Sequence, residues 1–144
     1  MKLFTIGTSG KNLRKFIEIL QYAGIDKLVD VRLNNTSQLA GYSKKDDLEY
    51  IMELVGIKYV HIPKLAPTQE LLKGYKNKVI SWDEYERLFG EIMKRRQPLQ
   101  YIDFEDDNIS ICLLCSEEKP QFCHRRLLAE YFANNIGELE VVHL

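Results

Sequence analysis

Residues 109–115, Ile-Ser-Ile-Cys-Leu-Leu-Cys, constrain the fold more than any other stretch of this chain. The run is almost continuously apolar, yet far shorter than the roughly 18 residues a membrane-spanning helix needs. A strand with one wet face alternates apolar and polar side chains. A strand apolar at successive positions is buried on both faces, and such strands belong to parallel sheets covered by helices. The rest of the chain must therefore supply neighbouring strands and a helical layer on each side.

It has the patterns to do so. Residues 3–7, 27–32, 57–62 and 138–143 read as further short strands. Residues 11–22 carry Leu13, Phe16, Ile17 and Leu20 at helical spacing, and residues 45–55 carry Leu48, Ile51, Met52 and Val55. A third helix is expected from Ser81 to about residue 96 and a fourth over 122–134, with a short helical turn over 69–73. Ser81 and Glu84 have capping-box spacing, each capping the other's end. Thr8-Ser9-Gly10 offers turn residues and helix caps, and Gly24 and Gly56 follow helical patterns as stops. The predicted fold is α/β: a single domain over residues 1–144, with a mostly parallel five-stranded sheet and helices on both faces. The strand order is left open.

Lys plus Arg number 20 and Asp plus Glu 21, a net charge of −1, which rules out a broad basic coat for nucleic acid. Any phosphate recognition must be local. The apolar start, Met1 to Gly7, is too short for a signal peptide, and the three cysteines cluster between positions 112 and 123. An odd, clustered set is unlike a secreted disulfide framework, so a cytoplasmic protein is expected.

In a parallel sheet all carboxyl ends share one edge, where ligands bind. Those ends hold Gly7 and Ser9, then Asp30 and Arg32, then His61, then Cys115 and Glu117, then His143. If the sheet is fully parallel, this inventory lies on one rim. The segment 115–126 leads from the buried strand into a helix whose free amides favour an anion and a reactive thiol. Cys123, His124 and Arg125 open that helix. Cations there oppose the helix dipole, which suggests another purpose for them.

Three motifs are similar to those of the domain-of-unknown-function 488 family. They are Thr5-Ile6-Gly7-Thr8-Ser9, Asp30-Val31-Arg32, and Leu113-Leu114-Cys115-Ser116-Glu117 followed by Pro120 and Cys123-His124-Arg125-Arg126. The resemblance implies a related α/β fold and a site, and it carries no reaction. Many members have a proline- and arginine-rich stretch after the aspartate-valine-arginine motif. Here that stretch is Leu33-Asn34-Asn35-Thr36-Ser37-Gln38-Leu39-Ala40-Gly41-Tyr42, which keeps Ser37 and has no arginine, as in a distinct branch.

The leading expectation is an enzyme, a hydrolase or transferase, acting on a phosphate-bearing or other anionic substrate. Cys115 or Cys123 is the candidate nucleophile, and Glu117, Asp30 or His124 the candidate proton carrier. Gly7, Ser9, Arg32, Ser37 and Arg125 are the candidate substrate-binding residues. The expected partner is an anionic small molecule or a nucleic-acid end, without a membrane. A cysteine-phosphatase loop is not supported, because the position six after Cys115 is Gln121. Two alternatives stand beside the enzyme: a non-catalytic anion-binding module, and a metal site at Cys115, Cys123 and His124. Against the latter, adjacent helical side chains project about 100° apart. No cofactor and no metal are expected. Cys112 is expected to pack in the core, on the opposite face from Cys115.

Overall fold

The computed structural model describes residues 1–36 and 38–144, with the backbone alone for 38–40. Five strands form one sheet: β1 (Lys2–Gly7), β2 (Lys27–Asp30), β3 (Lys58–His61), β4 (Ile111–Cys115) and β5 (Glu140–His143). Their order is β3-β2-β4-β1-β5, and every pairing among them is parallel. The apolar run thus becomes the middle strand, buried at all five positions.

Side chains alternate across β4. Ile111, Leu113 and Cys115 face one core, and Cys112 and Leu114 face another. The second core is closed by α1 (Leu13–Tyr22) and α2 (Lys45–Leu54) through Phe16, Leu20, Leu48 and Met52. The first is closed by α3 (Gln69–Lys76), α4 (Trp82–Arg96) and α5 (His124–Asn135) through Leu71, Phe89, Met93, Leu128 and Phe132. Helices therefore cover both faces, as the two-sided burial of β4 requires. Among the described residues, no helix is long and apolar enough to cross a membrane.

Several boundaries differ from the sequence expectation for local reasons. Strand β2 ends at Asp30, because the Arg32 amide turns back to donate to Asp30 Oδ1 at 3.0 Å. Helix α1 is capped by Asn12, whose Oδ1 accepts from the Lys15 amide at 2.8 Å, and not by Thr8 or Ser9. Helix α3 runs eight residues where a short turn was expected, with Thr68 Oγ1 accepting from the Leu71 amide at 3.1 Å. Only half of the capping box forms: Ser81 Oγ accepts from the Glu84 amide, while the Glu84 carboxylate turns to Arg87. Within the expected polar loop, residues 38–43 form 3-10 turns that break at Gly41 (φ 58°).

The connections set the place for a ligand. The chain leaves β2 over the α2 face toward β3, and leaves β4 over the α5 face toward β5. Neighbouring strands whose connections diverge to opposite faces open a crevice between their carboxyl ends. Here that crevice lies between β2 and β4.

Candidate functional site

A cavity of about 620 Å³ occupies this crevice. Cys115, Cys123 and His124 line it, together with Arg32, Glu117 and residues of α3 and α4. Cys115 is the last residue of β4 and points into the α3–α5 core. Cys123 was expected inside a helix. It is instead the extended residue before α5 (φ −135°, ψ 138°), so the 100° helical splay between it and His124 does not apply. The ligand atoms of Cys115, Cys123 and His124 lie within 4.8 Å of one another, and all three residues are buried.

Their hydrogen bonds define the chemistry. His124 Nε2 lies 2.7 Å from the carbonyl oxygen of Val31. A carbonyl only accepts, so Nε2 carries the proton and the lone pair of neutral His124 is on Nδ1. That nitrogen faces Cys115 Sγ at 3.6 Å. A hydrogen bond from Cys123 holds the Cys115 thiol below its ordinary pKa; the Ser116 and Glu117 amides and the Arg125 charge add to this, outweighing burial. Cys123 is pushed up by the hydrogen bond it gives Cys115 and by burial. Cys112, fully buried on the opposite face, is pushed up by burial and packs in the core.

Asp30 and Arg32 form a separate constellation. The carboxylate of Asp30 accepts from Arg32 Nε at 2.9 Å and Arg32 Nη2 at 2.7 Å, from the Arg32 amide, and from Tyr59 and Asn35. Burial opposes ionisation of Asp30, but the Arg32 hydrogen bonds and charge outweigh it and hold its pKa below the ordinary value. A carboxylate with so many donors is a fixed counter-charge, unsuited to the proton carrier expected of it. The side chain of Asp30 shares the α1–α2 face with Leu28 and Tyr59, whereas Cys115 shares the opposite one. The inventory expected on a single rim is therefore divided into two clusters on opposite sides of the sheet, with Arg32, which pairs with Asp30, also lining the cavity.

Gly7, Ser9 and Arg125 do not line the cavity. A Cβ on Gly7 would lie 1.7 Å from the Glu117 carbonyl oxygen, so glycine is what lets the 115–118 segment lie against β1. Ser9 is exposed and uses its amide, donating to the Ser116 carbonyl at 2.9 Å. Arg125, expected as an anion clamp, is fully buried. It donates to the carbonyls of Glu117 (2.6 Å) and Glu118 (3.2 Å) and to Thr5 Oγ1 (3.3 Å). Its guanidinium thus buttresses the loop after Cys115 from behind. Ser37 lies outside the described residues. His61 and His143 make structural contacts, to the Arg32 carbonyl and to Thr5 Oγ1.

The model of one protein family, described as domain of unknown function DUF488, matches residues 12–132. This chain belongs to the DUF488 family. The matched span holds the Asp30-Val31-Arg32 and Cys115-to-Arg126 motifs, while the Thr5-to-Ser9 motif precedes it. No curated protein and no solved structure matches the chain.

In this DUF488 protein, sequence reasoning missed the outer walls of the cavity. Lys73, Tyr75 and Lys76 come from α3, Trp82 and Tyr85 from the start of α4, and Phe122 from the residue before Cys123. The Trp82 and Tyr85 rings stack at 4.7 Å, and Phe122 meets Trp82 edge-on at 5.5 Å. The available signal was composition: three aromatics and two lysines in and around a capping motif, with a fourth aromatic, Phe122, before Cys123. Without the strand order, nothing tied those segments to Cys115.

Proposed function

We propose that this protein is a cysteine-dependent hydrolase or transferase acting on an anionic substrate seated in the cavity between β2 and β4. One observation carries the reading: Cys115 Sγ lies 3.6 Å from His124 Nδ1, and His124 Nε2 is held by the Val31 carbonyl. A nucleophile, a base and a group that orients the base are the parts of an activated thiol. His124 Nδ1 takes the thiol proton, and the thiolate attacks the electrophilic centre. The sulfur bond forms as the bond to the leaving group breaks, and His124 returns the proton to that group. Water or a second acceptor then attacks the adduct, losing its proton to His124 and releasing the Cys115 sulfur. Glu117, exposed on the cavity wall, is a second group able to move a proton in that step. Lys73 and Lys76 supply positive charge at the mouth, and Arg125 positions the loop carrying Glu117.

A second reading rests on the same triad. Two thiols and an imidazole with ligand atoms within 4.8 Å suit a soft or borderline metal such as zinc. A histidine whose other nitrogen donates to a carbonyl is a common feature of metal ligands.

Alkylation by iodoacetamide, followed by mass spectrometry from pH 5 to 9, tests the first reading. Cys115 should react faster than Cys112 and Cys123 at neutral pH, and its rate should level off below the pH at which an ordinary thiol does. Replacing Cys123 by Ala removes the donor to its sulfur and should move that plateau to higher pH. A Cys115 no more reactive than free cysteine would overturn the nucleophile. One equivalent of zinc in tag-free protein, lost in Cys115→Ser, would replace it with the metal reading.

A further inference from the structure

We infer that the cavity takes a mononucleotide, with the base against the aromatic wall and the phosphate toward α3. The inference rests on the cavity proposed above as the substrate site, and it does not depend on how Cys115 acts. Phe122 is 53% exposed at the rim of the cavity, where its ring meets Trp82 edge-on and is open to a ligand. Beside it, the Trp82 indole is fixed before any ligand arrives. Tyr85 stacks on it, and Trp82 Nε1 donates to Glu86 Oε1 at 3.0 Å, a carboxylate itself held by Arg126 at 2.6 Å. A ring platform held in this way accepts a planar base with little loss of side-chain freedom.

The charges point the same way. Lys73 and Lys76 stand one turn apart on α3, both exposed, and neither is in an ion pair among the described residues. The cavity lining carries Arg32, Lys73 and Lys76 against one acid, Glu117. Arg32 is already paired with Asp30, so the free positive charge is at α3. The Asn34 and Gln69 amides, 3.4 Å apart on the wall, offer donors and acceptors for a base edge or ribose. The two lysines of α3, the aromatic cluster and the two amides line one cavity, and together they suit a ligand that carries a phosphate, a planar base and a sugar. A volume of about 620 Å³ is ample for one nucleotide.

Trp82 is the only tryptophan of the chain, so its fluorescence reports this wall directly. The experiment titrates wild type and Cys115→Ser with nucleoside 5′-monophosphates, the parent nucleosides, ribose 5-phosphate, phenyl phosphate and a 5′-phosphorylated trinucleotide. Saturable quenching by a nucleoside monophosphate is expected in both proteins, with the nucleoside and ribose 5-phosphate each binding about tenfold or more weakly. Phe122→Ala, a change at an exposed ring, should weaken the mononucleotide about 5- to 30-fold and leave ribose 5-phosphate unaffected. The pair Lys73→Gln and Lys76→Gln should bring the monophosphate down to the level of its nucleoside. Tighter binding of the trinucleotide would assign the same chemistry to a nucleic-acid end, and weaker binding to a free nucleotide. The inference is overturned if no monophosphate quenches saturably at millimolar concentration, or if ribose 5-phosphate or phenyl phosphate binds as tightly. Nucleotide binding with an unreactive Cys115 would sink the cysteine enzyme alone, and a reactive Cys115 without nucleotide binding would sink this inference alone.

Discussion

Asp30 is tightly bound by its surroundings, and its energetics can be stated in sign and size. Its carboxylate is buried with Arg32 in a two-pronged pair and receives further bonds from Tyr59 and Asn35. Removing one charge from such a pair strands the other in the interior, which costs about 3–5 kcal/mol. Asp30→Asn should therefore lower stability at pH 7 by about that amount in urea titration; a loss below about 1 kcal/mol would show that Arg32 finds another outlet. The pH dependence follows from the depressed carboxyl. As pH falls past the ordinary value of 3.8, the unfolded chain takes up this proton before the folded one does. The contribution of Asp30 is full above that value and is lost as pH falls through the lower, folded one. The variant should lack this part of the acid-induced loss.

The element that positions the candidate nucleophile Cys115 is the segment leaving β4, held between β1 and α5. The amides of Thr8 and Ser9 donate to the carbonyls of Cys115 and Ser116 at 3.0 and 2.9 Å. On the other side, Arg125 grips the next two carbonyls. Gly7 sits where these meet, with no room for a Cβ. Gly7→Ala should force the Glu117 carbonyl outward, costing about 1–3 kcal/mol in thermal or urea unfolding. It should also slow alkylation of Cys115, whose sulfur is served by the Glu117 amide. Ser9→Ala, which removes only an exposed hydroxyl, should change neither measurement. If both variants behaved alike, the close approach at Gly7 would not be what holds the loop.

Across the whole molecule, the sheet order sets a gradient of stability. Strands β4 and β1 are paired on both sides, while β3 and β5 are edges with partly exposed side chains. Hydrogen exchange should be slowest in β4 and β1 and faster in β3 and β5. Uniform protection across the sheet would contradict a core centred on β4. Much of this architecture is legible one segment at a time. Burial on both faces leaves no polar positions in residues 111–115, so the central parallel strand shows in the sequence itself. The helical stripes of α1 and α2 and the Ser81 cap are equally local. Cys115 and His124 stood among the sequence candidates, because a strand end and a helix start are features of neighbouring residues, but their pairing across the cavity did not. What no local pattern contains is the strand order, which depends on contacts between residues far apart in the chain. That order puts the end of β2 beside the end of β4. It turns Asp30 to one face and Cys115 to the other, and it brings Lys73, Trp82 and Phe122 around a single cavity. By itself, the sequence determined the elements, their parallel assembly and the candidate residues near positions 115 and 124. Only the tertiary structure decided which of them meet, because side-chain direction and strand adjacency are settled by packing across the sheet.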